Sequence, residues 1–228
     1  MSKNCAIILA AGKGVRMRAG VNKQYIELGD RPVIYYTLKA FEHSDIIDDI
    51  IIVAAKDEIE YCRKEVVEKY KIEKVSKIVE GGKERQDSVV NGLEEIEKCD
   101  IVLIHDGARP FVNKRIIEDG IKYAKKYGAA ACGVPPKDTI KIRYQDGFSK
   151  ETLKRNELFC VQTPQTFQYK LILNCHRKLN KDNVRVTDDT MVVERYGNKV
   201  YLYEGDYNNI KITTPEDLII CRGLLDNY

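Results

Sequence analysis

The stretch "LAAGKGVRM", Leu9 to Met17, follows the short apolar run "CAIIL" and contains a Gly-x-Gly pattern. Two familiar phosphate-holding devices fail against it. A dinucleotide fingerprint needs a Gly or Ala three positions after the second glycine, where Met17 stands. A P-loop needs Gly-Lys-Ser/Thr after four intervening residues, and "GKGVRM" does not supply it. What remains is a glycine loop with Lys13, Arg16, Arg18 and Lys23 within eleven residues. Glycines let backbone N–H groups approach an oxyanion closely, and the basic side chains surround a polyanion with charge. A loop of this kind suits a nucleoside triphosphate that reacts at phosphorus.

Outward from the loop, apolar runs alternate with amphipathic stretches. Strands read at "CAIILAA" (5–11), "DIIIVAA" (49–55), "VSKIVEGG" (75–82) and "DIVLIHDGARPF" (100–111), the last running into a turn. Between them "PVIYYTLKAF" (32–41) reads as a helix with Pro32 in its first turn, and a charged helical stretch runs from Asp57 to about Tyr70. "ERQDSVVNGLEEIEK" (84–98) carries Val89, Val90, Leu93 and Ile96 at helical spacing. The alternation predicts an α/β fold, a mostly parallel sheet with helices on both faces. Ligands of such sheets gather beyond the carboxyl ends of the strands. There stand "AAGKGVRM", "GGKERQDS" and "HDGARP", all polar or glycine-rich.

After Pro135-Pro136 the texture changes. "DTIKIRYQDGFSKETLKR" (138–155) reads as a β-hairpin around Asp146-Gly147. Its strands are too charged for the middle of a covered sheet, so the hairpin is expected to project as an arm and pack on another subunit. From Val161 core-like α/β texture returns, with helices near 169–179 and from Asp188 and a strand near 200–204. In "NIKITTPEDL", Thr214 reads as an N-cap with Pro215 at the first helical position. No internal repeat is present. The chain is expected to form a single domain, 1–228, with the arm 138–155 inserted within it.

Composition narrows the class. An apolar fraction of 43% in 228 residues supplies a full core. No apolar run approaches the ~20 residues of a membrane span, and "MSKN" before a short strand does not read as a signal peptide. Seven cysteines without a Cys-x-x-Cys pair predict reduced, mostly buried thiols in a cytoplasmic protein. A net charge of +3 does not by itself imply a nucleic-acid partner.

Nine segments then occur in order: "LAAGKGVRM", "NKQY" (22–25), "GGKERQDSV" (81–89), "HDGARPF" (105–111), "KDTIK" (137–141), "RNELF" (155–159), "QTPQTF" (162–167), "VTDDTMVVE" (186–194) and "NIKITTPEDL" (209–218). From about residue 4 to 222 the chain resembles the 2-C-methyl-D-erythritol 4-phosphate cytidylyltransferases of non-mevalonate isoprenoid synthesis. The resemblance implies a Rossmann-like nucleotidyltransferase fold and a homodimer. It also implies transfer of a cytidylyl group from CTP to the polyol phosphate, with pyrophosphate leaving and Mg²⁺ or another divalent cation assisting. One departure is Gly107 in "HDGARP", where the family has Ala, and a looser turn is expected there.

Carried over motif by motif, the resemblance makes Arg16 and Lys23 the stabilisers of transition-state charge. The glycine loop, as Ala10, Ala11, Gly12 and Gly14, would hold CTP, and Gly81, Gly82 and Ser88 would read its base. Asp106, Arg109, Thr139, Arg155, Thr163, Thr187 and Lys211 would hold the polyol phosphate, with Arg155 and Lys211 aiming its phosphate for attack. Asp106 is also the candidate metal ligand. Plainer readings stand beside these. Ser88 would bond a carbonyl one turn earlier; Asp106 and Arg109 would pair to hold a turn; Thr187 would cap a helix. Asp188 and Asp189 read as charges of a first helical turn, and His105 as a satisfied histidine at a strand end. The nearest alternative activity is a ribitol-5-phosphate cytidylyltransferase, disfavoured by "AAG" in the loop and by "VTDD". An alternative of another class is a non-catalytic nucleotide-binding regulator, against which Arg16, Lys23 and Lys211 all stand present.

Overall fold

The computed structural model describes residues 3–12, 22–182 and 184–225. The chain opens with β1 (Asn4–Ala10), a 3₁₀ turn at Lys23–Tyr25, and a short ribbon of β2 (Glu27–Leu28) and β3 (Arg31–Pro32). Next come α1 (Val33–Glu42), β4 (Asp49–Ala54) and a helical segment that is 3₁₀ at Lys56–Glu58, α2 at Ile59–Tyr61 and π at Cys62–Glu68. Then follow β5 (Val75–Glu80), α3 (Arg85–Glu94), β6 (Ile101–Asp106), α4 (Lys114–Tyr127) and β7 (Ala129–Val134). The hairpin strands are β8 (Lys141–Arg143) and β9 (Ser149–Thr152). β10 (Cys160–Gln168), α5 (Tyr169–Asp182), α6 (Asp189–Arg195), β11 (Tyr201–Glu204) and α7 (Pro215–Leu225) complete the chain.

Among the described residues the main sheet has seven strands in the order β11-β7-β10-β6-β1-β4-β5. β10 alone runs antiparallel to its neighbours, β6 and β7. Alternate residues of the central strands feed two apolar layers, as a doubly covered sheet requires. Ala6, Ile8, Ile50, Ile52 and Leu103 pack with α1 and α4. Cys5, Ile7, Ile51, Val53 and Val102 pack with α3, α5 and α6 on the other face. Register brings the carboxyl ends level: Leu9 lies beside Asp106, and Ala10 beside Ala54, which pairs with Glu80. The segments after β1, β5 and β6 therefore meet at one edge.

The helix expected over 84–98 ends at Glu94. At the stop the Ile96 N–H turns back to the Leu93 carbonyl at 3.3 Å, and the Tyr169 hydroxyl lies 3.0 and 3.3 Å from the carbonyls of Leu93 and Ile96. The β2–β3 ribbon, α4, β7 and β10 had no counterpart in the sequence reading. α4 buries Ile116, Ile117, Ile121 and Ala124 on one stripe, is capped by Asn113 and ends at Gly128 with φ 91°. β10 carries "CVQTPQTFQ", polar by composition, yet Gln162 through Phe167 are buried.

Candidate functional site

A cleft of about 810 Å³ opens at the carboxyl edge of the sheet. Its lining includes Ala11, Gly12, Lys23, Gly81, Gly82 and Ser88. Gln24, Lys83, Glu84, Arg85, Asp106 and Lys211 add polar and charged groups to its wall.

Asp106 forms the floor, at the end of β6. Lys211 Nζ lies 2.8 Å from its Oδ2, Arg109 Nε lies 3.7 Å from the same oxygen, and Arg85 Nε lies 3.7 Å from Oδ1. Burial pushes the Asp106 carboxyl up, but Lys211, Arg85 and Arg109 outweigh it and hold the group well below the usual carboxylate range. The Asp106–Arg109 pair exists, as one layer of a larger cationic cage.

Thr163 does not face the cleft; it is 5% exposed and supports the floor from behind. The backbone N–H of Asp106 donates to Thr163 Oγ1 at 3.1 Å. Thr163 Oγ1 also meets His105 Nδ1 at 3.1 Å, while His105 Nε2 faces the Arg109 carbonyl at 3.2 Å. A carbonyl only accepts, so Nε2 carries the hydrogen and Nδ1 accepts the threonine hydroxyl. Burial pulls the His105 pKa down to about 4, outweighing the bond to the Arg109 carbonyl. His105 is thus the satisfied, neutral histidine expected from the sequence. Arg109 is locked in turn, donating from Nη1 to the Asn209 carbonyl at 2.7 Å.

On the glycine-loop side, Ala10 is buried at the end of β1 and Ala11 and Gly12 reach the cleft. Lys23 sits in the 3₁₀ turn and donates from Nζ to the Ile212 carbonyl at 2.9 Å, next in sequence to Lys211. Gln24 is buried, and its amide donates to the Ala10 carbonyl and to Glu58. Asn22 donates to the other oxygen of Glu58. The carboxylate thus ties the "NKQ" stretch to the start of the loop. Gly14 and Arg16, expected at the triphosphate, lie outside the described residues, as do Lys13 and Arg18.

On the opposite wall, a Cβ on Gly81 would lie 2.3 Å from the Ala11 Cβ, so glycine is what lets β5 close against the loop. Ser88 makes the local bond foreseen for it, donating to the Glu84 carbonyl at 3.2 Å. It also accepts from the Gly82 N–H at 3.0 Å, so its hydroxyl shapes the glycine turn. Gly107 is not loose. Its N–H bonds the Leu9 carbonyl at 2.8 Å, and a Cβ there would lie 3.0 Å from that oxygen.

Besides Arg109 and Thr163, which stand behind Asp106, three more expected substrate residues lie away from the lining of this cleft. Arg155 and Thr139 are exposed on the arm, where Arg155 Nη2 donates to Thr139 Oγ1 at 3.1 Å. Thr187 is exposed and does not cap α6; Asp188 does, accepting from the Met191 N–H at 2.9 Å. Asp189 stands in the first turn of α6, as expected, but it is not a surface charge. It is 1% exposed, with Arg85 Nη1 at 2.7 Å and His176 Nε2 at 3.2 Å. Burial pushes its carboxyl up and Arg85, then His176, pull it below the usual range. It is a buried anchor, not a charge in solvent.

Arg85 and Gln24 are the site residues that sequence reasoning missed. Arg85 carried one legible signal: a cation at the first position of a helix opposes the helix dipole and needs carboxylates from elsewhere. Those carboxylates lie 21 and 104 positions on, at Asp106 and Asp189, and only folding brings them in.

The profile of the family described as IspD, 2-C-methyl-D-erythritol 4-phosphate cytidylyltransferase, matches residues 4–227. A protein of that name from Clostridium novyi is 64% identical over 100% of this chain and 98% of its own length. One from Clostridium kluyveri is 59% identical over 100% of this chain and 99% of its own. The crystal structure of 4-diphosphocytidyl-2C-methyl-D-erythritol synthase from Anaerococcus prevotii superposes with a TM-score of 0.88 at 36% identity, covering 99% of this chain and 96% of that one. The Thermus thermophilus cytidylyltransferase gives a TM-score of 0.80 at 27% identity, covering 96% of this chain and 98% of that one. With the fold, the cleft and these likenesses in agreement, the chain belongs to the 2-C-methyl-D-erythritol 4-phosphate cytidylyltransferase family.

Proposed function

We propose that the cleft joins CTP to 2-C-methyl-D-erythritol 4-phosphate, giving the CDP-alcohol and pyrophosphate. The observation that carries this is the cationic floor around Asp106, set opposite a glycine-walled recess at the strand ends of a chain of this family. The acceptor's phosphate oxygen attacks the α-phosphorus. No protein nucleophile is required, because a phosphate dianion attacks well enough once placed. Negative charge builds on the equatorial and leaving oxygens, so positioning and charge stabilisation are the protein's tasks.

Lys23 supplies a compact positive charge from the loop side, and Arg16 adds a guanidinium fork, as the family resemblance implies. Gly81, Gly82 and Ser88 form the base recess. Lys211 leaves Asp106 for the acceptor's phosphate and aims it, while Asp106 takes acceptor hydroxyls. Arg109 and Thr163 hold Asp106 in place.

Mg²⁺ takes one or two carboxylates beside phosphates and waters. Two carboxylates line the cleft among the described residues, and both are engaged by cations, Glu84 by Arg185 at 2.9 Å and Asp106 by Lys211 at 2.8 Å. Asp106 is the residue that would hold the ion, as the family resemblance implies, once Lys211 has left it. When bound, Mg²⁺ supplies charge neutralisation to the triphosphate.

The working unit is a homodimer in which the arm crosses to the twofold partner and delivers Thr139 and Arg155 to its cleft. Their mutual bond on the exposed arm, away from their own chain's cleft lining, supports this reading. Seven free cysteines, six of them buried, suit a reducing cytoplasm. No helix among the described residues is long and apolar enough to cross a membrane.

The test is pyrophosphate release from CTP with Mg²⁺ and each polyol phosphate. We expect the larger kcat/KM with methylerythritol 4-phosphate; preference for ribitol 5-phosphate overturns the assignment.

A further inference from the structure

Arg85 belongs to neither substrate by resemblance, yet it stands in the cleft wall beside Asp106. It begins α3, directly after the base-recess segment, and lines the cleft. One end of its guanidinium is held by Asp189 at 2.7 Å, and Nε faces Asp106 at 3.7 Å. Asp189 is itself fixed. His176, 0% exposed on α5, lies against its Oδ1 at 3.2 Å, and the Asp189 N–H donates to Gln165 Oε1 at 2.9 Å. Gln165 returns its amide to the cap Asp188 at 2.8 Å. The result is a line of polar contacts, His176–Asp189–Arg85–Asp106–Lys211, running from the buried face of α5 to the cleft floor.

Holding a fold together does not require this arrangement. A buried ion pair adds little net stability over a well-packed apolar pair. What the fork does, and a point charge does not, is hold one carboxylate while presenting a second N–H in a fixed direction. The two Asp106 oxygens are thereby distinguished: Oδ1 faces Arg85, and Oδ2 faces Lys211 and Arg109.

We propose that Arg85 is a positioning residue for the transfer: anchored by Asp189, it fixes the rotation of the Asp106 carboxylate, and through it the starting place of Lys211, so that the polyol-phosphate half of the cleft is organised independently of CTP. The inference rests on the function proposed above.

Steady-state kinetics on Arg85→Lys and Arg85→Gln test it. Both are expected to raise KM for methylerythritol 4-phosphate by about tenfold or more, with KM for CTP within about twofold of the parent. Lysine keeps the charge and loses the fork, so it is expected not to rescue. Rescue by lysine to within about threefold, or an equal rise in both KM values, overturns the proposal. Circular dichroism melts accompany each variant. Should the Arg85 variants not fold, Asp189→Asn decides, since it leaves Arg85 in place and removes its anchor. The same split in KM is expected, and unchanged constants overturn the proposal. An unsubstituted protein that fails to release pyrophosphate from this substrate pair refutes the function itself, a result distinct from these.

Discussion

The floor of the cleft and the arm are both rich in charge, and they are built in opposite ways. Asp106 is 8% exposed and lies among Lys211, Arg85 and Arg109, of which Arg85 is held again by Asp189 and Arg109 by the Asn209 carbonyl. Every residue of β8 and β9 is exposed, Phe148 at the arm's tip is 74% exposed, and the Arg155–Thr139 bond lies at the surface. Charges in a low-dielectric wall act strongly and are positioned before substrate arrives; charges on a solvated hairpin act weakly until something covers them. A two-stranded ribbon is also marginal by itself in water. One region is therefore built up within its own chain, and the other, on the function proposed above, would gain its role from a surface beyond it.

The largest effect is expected at the floor and the loop beside it. Lys23→Ala and Lys211→Ala should each lower kcat by about a hundred- to a thousandfold, the scale of losing one preorganised donor at a developing charge. The chain should still fold, because both ammonium groups reach partly open space. A near-normal kcat with only a raised KM would show that the residue binds substrate without favouring the transition state.

A second effect sharpens the comparison through pH. His105 behind the floor has its pKa lowered to about 4, against ~6.5 in an unfolded chain. Between those values the unfolded state binds a proton that the folded state refuses, so stability falls as pH is lowered through this window. Urea unfolding at pH 7 and pH 5 should differ by about 2 kcal/mol from this group, and His105→Gln should remove that part. An identical pH dependence in parent and variant would show that His105 charges without cost in the folded chain. The arm presents no such buried histidine, so its Tyr144 and Phe148 environments should not follow this window.

The third tests the arm. Lys23→Ala and Arg155→Ala chains, each nearly inactive alone, should complement once mixed and exchanged. Random pairing makes about half the dimers mixed, with one of their two sites complete, so about a quarter of full activity should return in a closed twofold dimer. Mass spectrometry establishes that mixed dimers formed. If nothing returns, Arg155 serves its own chain, and the contrast between a self-contained floor and a donated arm collapses.

The amino-acid sequence by itself determined the strand–helix alternation from β1 to β6, the place of the glycine loop and base segment after strands, and the hairpin around Asp146-Gly147. These features are local: apolar periodicity, glycine pairs and turn residues are read within a few positions. Ordered motifs determined the family for the same reason, each being short and contiguous. Tertiary structure alone decided the rest. β10 is polar in composition and becomes an inner strand because β6 and β7 flank it and its glutamines find partners there. Asp189 looks like any acid in a first helical turn until Arg85 and His176 arrive from 104 and 13 positions away. Thr163 reads from its motif only as a substrate ligand, and its bonds to Asp106 and His105 are visible only in the folded chain. A buried charge or hydroxyl takes its role from whatever satisfies it, and those partners are set by packing across the sheet.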